Sequence, residues 1–251
     1  MMKKTLARIL ARIARALGVS QLQSRVDELE RRARERSVSD DLYAAIEDRF
    51  RGDPAVIRER QKAYLPHLSG IPGGLPVLDL GSGRGEWLGL LRDEGIPAEG
   101  VDTNASFVAH ARDAGLAVTC RGLVDHLMDC TPGSVGAVTM FQVAEHLPLG
   151  VLEEALTLAH RSLALGGVLI VEIPNVETLR VGAANFWIDP THERPLFPEF
   201  LVFLVERAGF GAVQRVTSTS LAASPDGMTS VEQELFRQIN GHADFAVIAR
   251  K

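Results

Sequence analysis

Two periodicities divide the chain. Over residues 3–36 apolar positions recur at helical steps, and from residue 76 onward short apolar runs alternate with helical stretches. Leu6, Ile9, Leu10, Ile13 and Leu17 fall on one face of a helix, with Lys4, Arg8, Arg12 and Arg15 on the other. Gly18 follows as a stop signal. Val19, Leu22, Val26, Leu29 and Ala33 then alternate steps of three and four, a two-strand seam shorter than a stable coiled coil needs. Residues 40–68 predict one or two helices with Leu42, Ile46, Phe50, Ile57, Tyr64 and Leu68 turned inward. Gly70-Ile71-Pro72-Gly73-Gly74 is a linker.

Beyond the linker, strands are predicted near 76–80, 97–101, 117–120, 135–140 and 167–173. Helices are predicted over 85–94, 105–114, 123–129, 150–164 and 198–208. This alternation predicts an α/β, doubly wound, mostly parallel sheet. Two further apolar stretches, Val213–Thr217 and Phe245–Ala249, follow the last helix and are joined by a polar excursion. The expected organisation is therefore an arm (1–36), a helical cover with its linker (37–74) and a main domain (75–251).

Charge sharpens that division. Residues 1–36 hold ten Lys/Arg against four Asp/Glu, a net +6, whereas the remainder holds 17 against 28, a net −11. An acidic main domain is unsuited to tracking a nucleic-acid backbone, so no nucleic-acid partner is expected. Two cysteines, Cys120 and Cys130, form neither a disulfide framework nor a CxxC metal spacing. No apolar run has the length of a membrane span, and Arg8, Arg12 and Arg15 interrupt any signal-peptide core. The expected location is the cytoplasm. Two readings of residues 3–17 stay open: peripheral contact with anionic lipid at the inner membrane face, or docking on protein. Residues 19–36 are read either as a weak self-association seam or as a solvated arm.

The chemistry concentrates where the first strand ends, at Val77-Leu78-Asp79-Leu80-Gly81-Ser82-Gly83-Arg84-Gly85-Glu86-Trp87. An apolar strand, a glycine turn and a helix start offer bare backbone and unpaired N–H groups to a ligand. The second strand ends in Asp102, placed to hold a ribose hydroxyl pair. A dinucleotide site prefers G-x-G-x-x-G; here the spacing is G-x-G-x-G, preceded by Asp79, which repels pyrophosphate and suits an ammonium group. On these residues the chain resembles the class I S-adenosylmethionine (SAM)-dependent methyltransferases. The resemblance implies SAM as cofactor and an antiparallel hairpin closing the sheet.

Ligands in such sheets bind outside the carboxyl ends of the strands, so the residues after each strand are the candidates. Cofactor-binding candidates are Asp79, Gly81, Ser82, Gly83 and Glu86 after the first strand, Asp102 and Thr103 after the second, Gly122 and Leu123 after the third, and Gln142 after the fourth. Methyltransferases often place an acid where Gly122 stands; backbone groups of Gly122 and Leu123, or Asp125, would then serve adenine. Glu145 and His146 lie where the methyl acceptor enters, and imidazole is suited to take a hydroxyl proton. His146 as a structural cap is the bland reading. The loop Asn185-Phe186-Trp187-Ile188-Asp189-Pro190-Thr191-His192-Glu193-Arg194-Pro195 combines aromatics, an acid and a histidine, which suits sugar recognition. Phe186 and Trp187 serve equally well as loop packing. The expected catalytic set is His146 or His192 as base, with Glu145 orienting.

The chain is also similar, over residues of about 40 to 215, to the methyltransferase domain of bacterial O-antigen chain-terminating enzymes. Phe50-Arg51-Gly52, Arg58-Glu59-Arg60-Gln61, Leu78 to Leu88, Phe141 to Leu147 and Asn185 to Pro195 carry that likeness. It implies O-methylation of a sugar hydroxyl on a glycan or glycolipid in surface-polysaccharide synthesis, and a cover segment that roofs the cofactor. Some class I enzymes bind Mg²⁺ through E-x-x-E-H and a further histidine. With Gln142 in the first carboxylate's place, no metal is expected. A small-molecule hydroxyl is the alternative acceptor; an RNA end is disfavoured by the acidic domain, a non-catalytic SAM-fold scaffold by the intact Asp79, Gly81, Gly83 and Asp102, and a nicotinamide enzyme by the glycine spacing and the hairpin ending.

Overall fold

In the computed structural model the described residues are 25, 38–50, 52–217 and 225–251, and the unit analysed below is Tyr43–Lys251. The expected amphipathic helix at 3–17 lies outside the described residues, as does the 19–36 seam apart from Arg25.

Helix α1 (Asp40–Phe50) precedes α2 (Pro54–Gln61) and a 3₁₀ segment (Lys62–Leu68). Asp53 caps α2, its side chain accepting from the Ala55 N–H, and Pro54 starts the helix where no N–H is needed. The sheet region then runs β1 (Val77–Leu80), α3 (Glu86–Asp93), β2 (Ala98–Asp102), α4 (Ala105–Asp113), β3 (Val118–Cys120), α5 (Leu123–Asp129) and β4 (Val135–Phe141). It continues with α6 (Leu149–Ser162), β5 (Leu163–Pro174), α7 (Leu179–Ala183), α8 (Pro198–Arg207), β6 (Gly211–Thr217), α9 (Ser230–Asn240) and β7 (Asp244–Arg250).

The seven strands lie in the order β3-β2-β1-β4-β5-β7-β6. β1 to β5 pair in parallel, and β7 runs antiparallel to both β5 and β6. This is the fold of class I methyltransferases, with the expected closing hairpin. Continuous apolar runs make the central strands because both faces are covered. Alternate side chains sort into two layers. Leu78, Leu80, Val138, Met140, Leu169 and Val171 pack with Leu152, Leu156, Leu201 and Val205 of α6 and α8. Val77, Ala137, Ile170 and Ile248 pack with Trp87, Leu90 and Leu91 of α3 and with Tyr64 and Leu68.

Three details depart from the sequence expectation. β5 begins at Leu163, where Val135 pairs with it before the register shifts to Ala137 opposite Val168; the positive φ of Gly166 (79°) accommodates the irregularity. The polar excursion contains α9, started by a reciprocal capping box between Thr229 and Glu232. In the cover segment, Tyr64 and Leu68 are buried as expected, but Leu42 and Phe50 are 54% and 58% exposed. That correction has a physical reason: the face of α1 carrying Ile46 and Phe50 fronts an open chamber, where no packed core awaits it.

Leu156 is fully buried between α6 and the sheet. Leu156→Ala should lower unfolding free energy by about 2–5 kcal/mol, through lost burial and an unfilled cavity, as read by urea denaturation.

Candidate active site

The chain order places a switch point between β1 and β4: successive connections move outward toward β3 on one side and toward β5 on the other. At this seam Asp79 and Thr139 are register partners, both buried, and the Thr139 hydroxyl donates to Asp79 Oδ1 at 2.7 Å. The turn after β1 winds through three left-handed glycines, with φ of 73° at Gly81, 54° at Gly83 and 87° at Gly85. A Cβ at Gly81 would come within 2.5 Å of Val143, so this position excludes any side chain on packing as well as dihedral grounds.

Asp102 closes the turn from β2. Its Oδ2 accepts from the Gly83 N–H and its Oδ1 from the Asn104 N–H, both at 2.8 Å. Asn104 in turn caps α4, accepting from the Ser106 and Phe107 N–H groups. Glu86 opens α3, and Gly122 and Leu123 open α5, at the same carboxyl edge of the sheet. Thr103 is exposed beside Asp102. Ser82 is placed differently from the expectation: its hydroxyl is buried beneath the turn, against the spot where Gly100 lacks a Cβ.

Helix α1 crosses above this turn. The Arg84 guanidinium pairs with Asp48 at 2.7 Å, donates to the Ala44 carbonyl at 3.3 Å and sits 5.2 Å over the Phe107 ring. Tyr43 lies 6.0 Å from the Phe107 ring and 6.2 Å from His146. Arg84, within the glycine turn, thus ties that turn to α1.

Beside the turn, past Gln142, opens a cavity of about 530 Å³ bounded by α1, α2, the ends of β4 and β5, the start of β7 and the 185–192 loop. Gln142 has φ of 57°, uncommon for a residue other than glycine, and its amide donates to Glu172 Oε1 and Asp244 Oδ1, each at 3.2 Å. The Tyr64 hydroxyl donates to Glu172 Oε2. Burial, then Glu172, push the Tyr64 phenol above its usual range, which keeps it a donor. Asp244 escaped the sequence reading. The available signal was the antiparallel last strand, whose first residue must lie at the ligand edge, opposite Pro174 of β5.

On the opposite wall Glu145, His146 and His192 come together, with one potential ligand atom from each within 4.8 Å of the others. The two imidazole rings are 4.6 Å apart. His192 Nδ1 faces the Phe186 carbonyl at 2.5 Å; a carbonyl only accepts, so this nitrogen carries the proton. His146 Nδ1 lies 2.8 Å from Thr191 Oγ1, whose hydroxyl donates to Asp189 Oδ1 at 2.6 Å. Glu145 is fully buried, and burial, then Asp244, Glu172 and Asp189, push its carboxyl well above the usual range. The Glu193 N–H donates to the Glu145 carbonyl at 2.8 Å, tying the loop to the 3₁₀ turn Ala144–His146. Of the loop aromatics, Phe186 is buried and lines the cavity, whereas Trp187 is 59% exposed and bonds the Gly182 carbonyl.

The glycine turn and the acids at the ends of β1 and β2 fit SAM by the chemistry of their groups: bare backbone for close approach, and carboxylates for a ribose diol and an ammonium. The fold and this edge define a class I SAM-dependent methyltransferase. The model of the methyltransferase-domain family matches residues 31–216, and the chain belongs to that family. No curated protein sequence matches it. A SAM-dependent methyltransferase from Archaeoglobus fulgidus is 28% identical, over 83% of this chain and 99% of that one, with a TM-score of 0.74. A phosphoethanolamine N-methyltransferase of Haemonchus contortus in complex with SAM is 16% identical over 77% of this chain and 52% of that one, TM-score 0.58. A geranyl diphosphate C-methyltransferase of Streptomyces coelicolor is 18% identical over 76% of each chain, TM-score 0.56. The last two share the fold alone.

Burial and Glu172 push Asp244 up to about 7, against opposing effects of Arg60 and Gln142. The folded protein thus holds a proton there that the unfolded chain, at 3.8, releases. The resulting stabilisation is complete below about pH 4 and is lost as pH rises through about 7. Asp244→Asn should flatten this decline, as measured by thermal melts between pH 4 and 8; an unchanged slope would remove Asp244 as its source.

Proposed function

We propose that the enzyme transfers the methyl group of SAM to a hydroxyl of a hydroxyl-rich acceptor, a sugar of a glycan or glycolipid, with a surface polysaccharide as the setting. The observation that carries this reading is the chamber beside Gln142. Its volume of about 530 Å³ lies within the ~300–1,000 Å³ of small-molecule sites. Its walls offer groups that accept and, where protonated, donate hydrogen bonds: Glu145, Glu172, Asp189, Asp244, the Asn185 amide and two imidazoles, beside the apolar rings of Phe141 and Phe186. Sugar hydroxyls are donors needing such partners, and sugar C–H faces need such rings.

SAM when bound supplies an electrophilic methyl on a sulfonium. The protein's own task is alignment and removal of the hydroxyl proton as the C–O bond forms. Asp79, Gly81, Gly83, Asp102 and Gln142 are assigned to the cofactor; Ser82, Glu86, Thr103, Gly122 and Leu123 are assigned to its margins. Glu145, His146 and His192 are assigned to the acceptor proton, with Nδ1 of His192 held by Phe186 so that Nε2 faces its task.

A second reading has its own observation. The lining includes Glu47, Glu145, Glu172, Asp189 and Asp244 but, apart from histidines, only Arg60 as a base among the described residues. That balance also suits an amine acceptor that arrives as its ammonium, gives a proton to one of these carboxylates and then takes the methyl on the freed nitrogen lone pair, an N-methylation.

Titration calorimetry with SAM and with NAD should give binding to SAM alone. Asp102→Ala should abolish it, whereas His146→Ala and His192→Ala should retain it and lose at least about 100-fold in turnover. Parallel assays with glycan and amine acceptors decide between the readings: methyl transfer confined to amines would overturn the hydroxyl assignment.

The basic amphipathic segment at 3–17 is proposed to hold the enzyme at anionic lipid, where a glycolipid acceptor resides. Among the described residues no helix is long and apolar enough to cross a membrane. Deletion of residues 1–18 should abolish co-sedimentation with anionic vesicles and leave SAM affinity unchanged.

A further inference from the structure

We propose that Glu145, His146 and His192 form a binding site for one divalent transition-metal ion of the Zn²⁺ type, at the wall of the acceptor chamber. The inference rests on the chamber being the acceptor's, and not on which acceptor it takes; with the ion bound, both Nε2 lone pairs would be spent on it, so the three residues would act on the acceptor through the ion in place of direct proton removal by an imidazole.

Three observations converge. First, the residues already meet: one potential ligand atom from each lies within 4.8 Å of the others. Zinc–nitrogen and zinc–oxygen bonds of ~2.0–2.1 Å put neighbouring donor atoms ~3.3 Å apart in a tetrahedron, so small side-chain rotations close the set. Second, Glu145 is fully buried, and neither carboxylate oxygen has a hydrogen-bond partner among the described residues. A buried acid without partners is expensive, and a cation held by two adjacent imidazoles removes that cost. Third, both imidazoles are oriented through Nδ1. His192 donates to the Phe186 carbonyl. His146 faces Thr191 Oγ1, whose own hydroxyl proton is committed to Asp189, so Nδ1 is the donor there too. Each ring therefore carries its lone pair on Nε2. A histidine whose second nitrogen is fixed by a carbonyl, or by a hydroxyl backed by a carboxylate, has the outer support of a metal ligand.

The donor set selects the ion. Two imidazoles and one carboxylate suit Zn²⁺, Co²⁺ or Mn²⁺; Mg²⁺ and Ca²⁺ prefer oxygen cages. Gln142, three residues before Glu145, spends its amide N–H groups on Glu172 and Asp244, and the proposed ligands are the three residues that already meet. The proposal departs from the sequence expectation of no metal: that expectation weighed a hard cation at this motif with an amide in the first position, whereas two imidazoles and one carboxylate suit a softer ion. Three protein ligands leave a further position for water or an acceptor oxygen, and all three residues line the chamber.

Untagged full-length protein, stripped with chelator, would be titrated with Co²⁺ followed by Zn²⁺. The expected result is one equivalent of Co²⁺ with visible d–d absorption, displaced by Zn²⁺ and undisturbed by millimolar Mg²⁺. Glu145→Gln and His192→Ala should each weaken binding by about 100-fold or more, with SAM affinity, read separately, unchanged. Should either variant fold poorly, the wild-type melt decides: Zn²⁺ should raise Tm in the intact protein and fail to do so in His192→Gln. Absence of stoichiometric binding, or binding that survives Glu145→Gln combined with His192→Ala, overturns the site. A protein that takes up no metal in the titration yet methylates hydroxyl acceptors overturns the metal and leaves the acceptor reading standing. Metal binding with transfer confined to amines does the reverse.

Discussion

The hydrogen bond from Thr139 to Asp79 joins the two strands on which everything else turns. β1 and β4 are buried on both faces and lie side by side, yet the chain leaves them in opposite directions. The crevice that results cannot be filled by either set of connections, so it is left for ligands. A buried acid at such a seam needs a donor, and Thr139 on the facing strand supplies one. The glycine turn follows directly from Asp79, and Gln142 follows directly from the end of β4. The glycine turn and the chamber are therefore two sides of one seam.

Around that seam the protein accumulates unfavourable features that only a site explains. Gln142 adopts a left-handed backbone without being glycine, and its amide is gripped by two carboxylates. Strain of this kind persists when surrounding contacts over-determine it. Glu172 and Asp244 both accept from Gln142, and burial, with Glu172, holds Asp244 up to about 7. Glu145 stands buried opposite them. A core built for stability alone would hold apolar residues here; an acidic chamber lined by aromatic rings is built to receive something.

Much of the fold was legible because its causes are local. Short apolar runs between turn residues located β1 to β4, and α5 falls on its expected residues Leu123–Asp129. Other features were illegible for equally physical reasons. Leu42 and Phe50 carry the helical period that a buried face would, because amphipathicity records an apolar stripe and not what covers it. Trp187 and Phe186 are adjacent in sequence, but a 3₁₀ turn sends one into the chamber wall and the other to solvent. Arg84 finds its partner, Asp48, on a helix some forty residues upstream.

The sequence by itself determined the strand–glycine–helix unit, the acid at Asp102 and hence the cofactor class, since these depend on dihedral freedom and spacing within short stretches. It also marked Glu145, His146 and His192 as reactive types. Only the tertiary structure decided that these three converge, that Asp244 from the last strand faces Glu172, and that Gln142 spends its amide on that pair. Convergence of this kind depends on strand order and on one antiparallel pairing, which bring residues some fifty to a hundred positions apart into contact. No periodicity in the chain records such distances.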